Sequence, residues 1–148
     1  MSQDILLLTA LIAVILMGSA MCSGIEAALL AVNPLRVHEL ARREPKVLGA
    51  RRLEKLRHRI GRTLTVVTIA NNSFNIFGSL MVGSYATYIF QDRIGNVKPI
   101  FFIGLTILVL LLGEIVPKAL GTRLALQISL TSAPVLDFLS VVMRPLLI

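Results

Sequence analysis

The sequence predicts an all-α membrane protein: three transmembrane helices, with cytoplasmic amphipathic juxtamembrane helices between the first and second. Three observations carry this reading. The 148 residues are 55% hydrophobic and 16% charged, with a mean hydropathy of +0.81, whereas a soluble domain carries about 25% charged residues. Long stretches hold no charge or a single one, and about 20 such residues suffice to cross a hydrocarbon core as a helix. The charge is also gathered in one place. Ten of the 15 Lys and Arg lie between Arg36 and Arg62, with the acids Glu39, Glu44 and Glu54, so this block holds the whole net charge of +7.

Residues 5–32 form the first span, in which Glu26 is the one ionisable group. A cleaved signal peptide is disfavoured, because no Lys or Arg precedes the stretch and it is too long. Pro34 forces Asn33 out of helical geometry and ends the span. Residues 34–62 interleave Leu35, Val37, Leu40, Leu53, Leu56 and Ile60 with basic side chains, and Pro45 and Gly49 divide them into two short helices. Basic amphipathic helices lie along a membrane interface, and positively charged loops stay in the cytoplasm. The N-terminus is therefore expected outside a multi-pass plasma-membrane protein, with the basic segment inside.

Residues 63–90 give an uncharged second span, residues 91–98 a polar outer turn, and residues 99–117 a third span whose one charge is Glu114. Lys118 and Arg123 then return to the cytoplasmic side. The last stretch, 124–148, is apolar but holds Pro134, Asp137 and Arg144, and an isolated charge at the bilayer centre costs at least about 2.5 kcal/mol. It is read as membrane-associated helix along the bundle or interface, with a fourth span as the alternative.

Nucleic acid is not an expected partner despite a pI near 10.5: such binding needs a basic face on a soluble fold, and here apolar runs flank the basic block. The single cysteine, Cys22, excludes an intramolecular disulfide or a cysteine-based zinc site. It reads as a small buried hydrophobe. An enzyme is not expected either, since no nucleophile is placed near Glu26 and Glu114, and His38 and His58 lie in the basic block.

Polar groups within apolar spans must find partners, so they carry the functional information. Ser23 and Glu26 share one helical face; a purely structural role would have Ser23 bond to its own helix and Glu26 pair with a cytoplasmic Arg. Asn71 and Asn75 also share a face, with Asn72 and Ser73 between them. Their alternative role is interhelical hydrogen bonding in a dimer, eased by Gly78 and Gly83. In Gly113-Glu114-Ile115-Val116-Pro117-Lys118, proline has no N–H, so the Gly113 carbonyl four residues earlier loses its helical donor. The alternative is that Pro117 ends the helix and Glu114 pairs with Lys118.

At about 1.5 Å per residue, Ser23 lies about 16 Å before Pro34, Asn71 about 13 Å beyond Arg62, and Glu114 about 10 Å before Gly121. Three spans thus bring oxygen donors to one level in the cytoplasmic half of the bilayer. The set is Ser23, Asn71, Asn75, the Gly113 carbonyl and Glu114, with Asn72, Ser73, Glu26 or water as a sixth. All-oxygen donors suit a hard cation such as Mg²⁺, Ca²⁺ or Na⁺. A single carboxylate favours the weak, reversible binding that transport needs.

With these residues the chain resembles the membrane domain of the CorC and cyclin M (CNNM) family of magnesium transporters, over essentially its whole length. The family's F-S-G-x-E-T-A-like motif is matched by Cys22-Ser23-Gly24-Ile25-Glu26-Ala27-Ala28. Its G-N-N-L-V-N motif is matched by Ala70-Asn71-Asn72-Ser73-Phe74-Asn75, and G-E-I-x-P-K stands intact from Gly113 to Lys118. Departures are Cys22 for Phe, Ala70 for Gly, and Ser73-Phe74 for Leu-Val; the serine adds a candidate ligand. The resemblance implies a homodimer with three transmembrane helices per subunit, a cytoplasmic belt of juxtamembrane helices, a last stretch that does not span, and Mg²⁺ export coupled to Na⁺ entry. Family members usually continue into cytosolic nucleotide-binding CBS modules. None follows here, so an excised membrane domain without a nucleotide site is expected. A membrane scaffold and a cation channel are the competing functions.

Overall fold

Why the low-charge stretches become helices follows from their length and from the need of every backbone N–H and C=O in an apolar medium to be satisfied within its own segment. The computed structural model describes residues 2–43, 47, 49–89 and 98–143. It contains α1 (Ser2–Ala31), α2 (Pro34–Arg43), α3 (Ala50–His58), α4 (Ile60–Ile89), α5 (Lys98–Leu108), a π-helical segment (Val109–Ile115), α6 (Val116–Arg123) and α7 (Ala125–Val142).

The helices α1 and α4, 30 residues each, are about 45 Å long and run antiparallel. Gly78 of α4 abuts Ile15 of α1, Asn75 meets Ser19, Asn71 meets Ser23 and Thr68 meets Glu26. Numbers fall along one helix as they rise along the other, in constant register. The second long helix begins at Ile60, three residues before the expected start, because it continues directly from the basic segment.

That segment is two short helices, as its interruptions predict. Asn33 accepts the Leu35 N–H through Oδ1 at 2.9 Å, an N-cap for α2 with Pro34 at its first position. Gly49 has φ 91°, and a Cβ there would fall 2.4 Å from the Leu130 carbonyl oxygen, so glycine is required before α3. Pro45, the other expected interruption, lies outside the described residues, as do most of the expected outer turn 91–98 and Arg144.

The third span does not stop at Pro117. The rod of α5, π segment and α6 continues to Arg123, with Pro117 in the first turn of α6, where a missing N–H costs least. Alpha-1 and α6 cross at backbone contact: a Cβ on Gly121 would lie 2.3 Å from the Gly24 carbonyl oxygen. Small residues allow such an approach between membrane helices.

Two apolar clusters hold the bundle. One joins Leu29, Val32, Val37, Leu53, Leu56, Val67, Ala133 and Leu136, drawing on α1, the short basic helices, α4 and α7. The other joins Leu8, Ile15, Val82 and Ala86 at the far end of the α1–α4 pair. Outside them large apolar side chains face outward, among them Leu6, Leu30, Phe77 and Phe138, each more than 60% exposed. An exterior this apolar suits lipid, since soluble monomers keep exposed apolar patches small.

By length and apolarity, Gln3–Ala31, Pro99–Arg123 and Ala125–Val142 could cross a membrane. The chain is thus an all-α membrane protein, with three candidate spanning helices among the described residues. Alpha-4 falls outside that set because Asn71, Asn72 and Asn75 lower its apolarity. Alpha-7 meets the criterion, yet its Asp137 faces Lys55 of α3 at 3.9 Å, at the level of the basic helices.

Candidate cation site

Between the two apolar clusters lies a polar layer. Ser19 and Ser23 are one turn apart on α1 and fully buried, and Asn71 on α4 is 7% exposed. Asn75 lies one turn beyond Asn71, and Gly113 enters from the π segment. The Ser19 hydroxyl is 2.8 Å from Asn75 Oδ1, 3.1 Å from Asn71 Oδ1 and 3.4 Å from the Gly113 carbonyl oxygen. Ser23 Oγ approaches Asn71 Oδ1 at 3.4 Å. A hydroxyl has one proton to donate, so the two protons of Ser19 and Ser23 face three acceptor oxygens, Asn71 Oδ1, Asn75 Oδ1 and the Gly113 carbonyl, and leave lone pairs unanswered.

The Gly113 carbonyl is available for the reason its sequence gives. Val116 N–H bonds to the Leu111 carbonyl, five residues back, and Pro117 has no N–H to offer the carbonyls of the preceding turn, Leu112 in that register and Gly113 in the α register. Glycine also permits the approach, since a Cβ would lie 3.3 Å from Ser19 Oγ. Single π-helical turns recur where a helix presents backbone groups to a functional site.

Ser23, Asn71, Asn75 and Gly113 therefore come together as the spacing anticipated. The Glu114 carboxylate instead accepts from Lys118 Nζ at 2.8 Å, with side chains 38% and 42% exposed. The alternative for this segment is thus half right: the ion pair forms, but Pro117 does not end the helix. Glu26 Oε1 accepts from the Thr68 hydroxyl at 3.1 Å. Ser73 bonds back to the Ile69 carbonyl at 2.8 Å, and Asn72 faces outward from the single chain. Among the described residues, no three His, Cys, Asp or Glu gather into a metal-holding group; the oxygens brought together around Ser19 are those of hydroxyls, amides and the backbone.

Sequence reasoning overlooked Ser19, the hub of the layer. A signal was present: Ser19 and Ser23 share a face of α1 at the four-residue spacing of Asn71 and Asn75, and polar pairs at equal spacing on two apolar helices are built to meet.

Fold and site together define a multi-pass helical membrane domain with a buried all-oxygen polar centre. The cyclin M transmembrane N-terminal domain matches residues 10–148, and the chain belongs to that family, as its three motifs suggested. It is 38% identical over 141 residues to the UPF0053 protein sll1254 of Synechocystis sp., covering 94% of this chain and 39% of that protein. It is 29% identical over 129 residues to the UPF0053 inner membrane protein YfjD of Escherichia coli, covering 86% of this chain and 29% of that protein. The chain thus spans well under half the length of these relatives.

Proposed function

We propose that this domain transports Mg²⁺, binding the ion largely dehydrated between α1, α4 and the π segment and exporting it in exchange for Na⁺. Ser23, Asn71, Asn75, the Gly113 carbonyl and Glu114 are the ligands, with Ser19 at their centre. The observation that carries this reading is the convergence of three acceptor oxygens on the single Ser19 proton. Excess lone pairs in a buried, low-dielectric layer favour a hard cation. Glu114 joins the set by exchanging Lys118 for the ion.

The constant register of α1 and α4 makes α4 cross whatever α1 crosses, despite its asparagines. The Lys55–Asp137 contact supports a position of α7 beside the basic helices; with those helices in the cytoplasm, as positive loops are, the reading is three spans with the N-terminus outside. Asn72, exposed in an uncharged stretch, calls for a covering partner in the bilayer, and a homodimer supplies one.

A second reading has one observation in its favour: Asn71 already receives two serine hydroxyls, as purely structural interhelical bonds would. Thermal unfolding of the purified domain in Mg²⁺, Ca²⁺ and Na⁺, repeated on Glu114→Ala, separates the two. Transport predicts Mg²⁺ stabilisation of the wild type that is lost in a still-folded Glu114→Ala. A scaffold predicts no Mg²⁺ effect, and dissociation of the dimer in Asn71→Ala and Asn75→Ala. A channel would bind alike but conduct without a Na⁺ gradient.

A further inference from the structure

A polar pocket of about 120 Å³ that shares no residue with the candidate cation site lies between α3, the start of α4 and the end of α7. Its charged lining is Lys55, Arg59, Arg62 and Asp137, a net of two positive charges. Asp137 is already faced by Lys55 at 3.9 Å. Among the described residues, no hydrogen bond or ion pair engages the side chains of Arg59 and Arg62, whereas nearby Arg57 is committed to the Leu29 carbonyl at 2.6 Å. Ser140 lines the same pocket, and its hydroxyl is buried without a hydrogen-bond partner.

We infer that this pocket binds the phosphate of an anionic phospholipid. Two guanidinium groups present the fork geometry that suits phosphate oxygens, and the Ser140 hydroxyl lies idle among the lining groups. Beside this basic end the surface turns apolar: Val141 lines the pocket, and Phe138, one turn earlier on α7, is 68% exposed. A free phosphate would use only the guanidinium groups, whereas a lipid uses both halves. Basic pockets on the cytoplasmic side of helical membrane proteins recognise lipid headgroups in this way. The inference shares with the proposed topology the placement of the basic helices at the membrane surface.

The test is native mass spectrometry of the detergent-solubilised chain, titrated with phosphatidylglycerol and separately with phosphatidylcholine, each with and without millimolar inorganic phosphate. Phosphatidylglycerol should bind preferentially. Its affinity should fall about tenfold or more in Arg59→Gln/Arg62→Gln, each basic group near an anionic headgroup contributing substantially. Arg51→Gln/Arg52→Gln makes the same charge change on the exposed face of α3 and should bind nearly as the wild type. Equal loss in the two double variants, undiminished binding in Arg59→Gln/Arg62→Gln, or full displacement by inorganic phosphate would each overturn the inference.

Discussion

The cluster around Leu29 and the layer around Ser19 lie about 15 Å apart along one helix, and they are held together by opposite means. Leu29 and Leu53 are fully buried among apolar side chains drawn from five helices. Arg57, reaching from α3 to the Leu29 carbonyl, ties off one end of α1. Around Ser19 hydroxyls meet amides, and glycines make room for what packs beside them, Gly18 for the Phe74 ring and Gly78 for Ile15. In the proposed topology the first region is the joint between spans and surface helices, where apolar burial is rewarded by water nearby. The second is surrounded by lipid-facing helices, where burying apolar area gains little and packing and hydrogen bonds decide association. Stability should therefore reside mostly in the first region and ligand response in the second.

The largest effect is expected where the joint is cut. Leu53→Ala should destabilise the detergent-solubilised domain by about 2–5 kcal/mol, the usual cost of emptying a fully buried site, with Mg²⁺ stabilisation still measurable in the remaining folded protein. A thermal melt with and without Mg²⁺ checks both halves. Next comes the α1–α6 crossing: Gly121→Val places a side chain against the Gly24 carbonyl and should cost about 1–3 kcal/mol by overpacking. An unchanged melting temperature would show that the helices do not touch there.

Smaller still is the expected stability loss for Asn71→Ala, about 0.6–2 kcal/mol as for other interhelical hydrogen bonds, yet its Mg²⁺ response should vanish. A drop as large as that of Leu53→Ala would place the layer among the stabilising elements and dissolve the contrast. Lys118→Gln should raise the apparent Mg²⁺ affinity, because the ammonium no longer competes for Glu114. Weaker Mg²⁺ binding in that variant would remove Glu114 from the ligand set.

Much of this arrangement was legible in the sequence for a plain physical reason. The 28 uncharged residues 63–90 have few places to go, and the basic block between the first two long helices marks its own division at Gly49. The Gly113 carbonyl was legible too, because proline lacks an N–H wherever it stands. The π-helical turn was not, since consecutive Val and Leu residues carry no periodicity that separates a π turn from an α turn. Continuation past Pro117 was missed because a proline in the first turn of a new helical segment looks, in sequence, like one that ends the old. Ser19 escaped because a lone serine among Gly18 and Ala20 resembles ordinary small-residue packing; its four-residue relation to Ser23 becomes meaningful once Asn71 and Asn75 are laid opposite.

The measurement that bears most directly on the central claim is calorimetric titration of the purified domain with Mg²⁺, run beside Asn71→Ala matched for helicity and elution volume. The oxygen layer as a cation site predicts a saturable isotherm for the wild type and none for Asn71→Ala. Indistinguishable isotherms for the two proteins would contradict it.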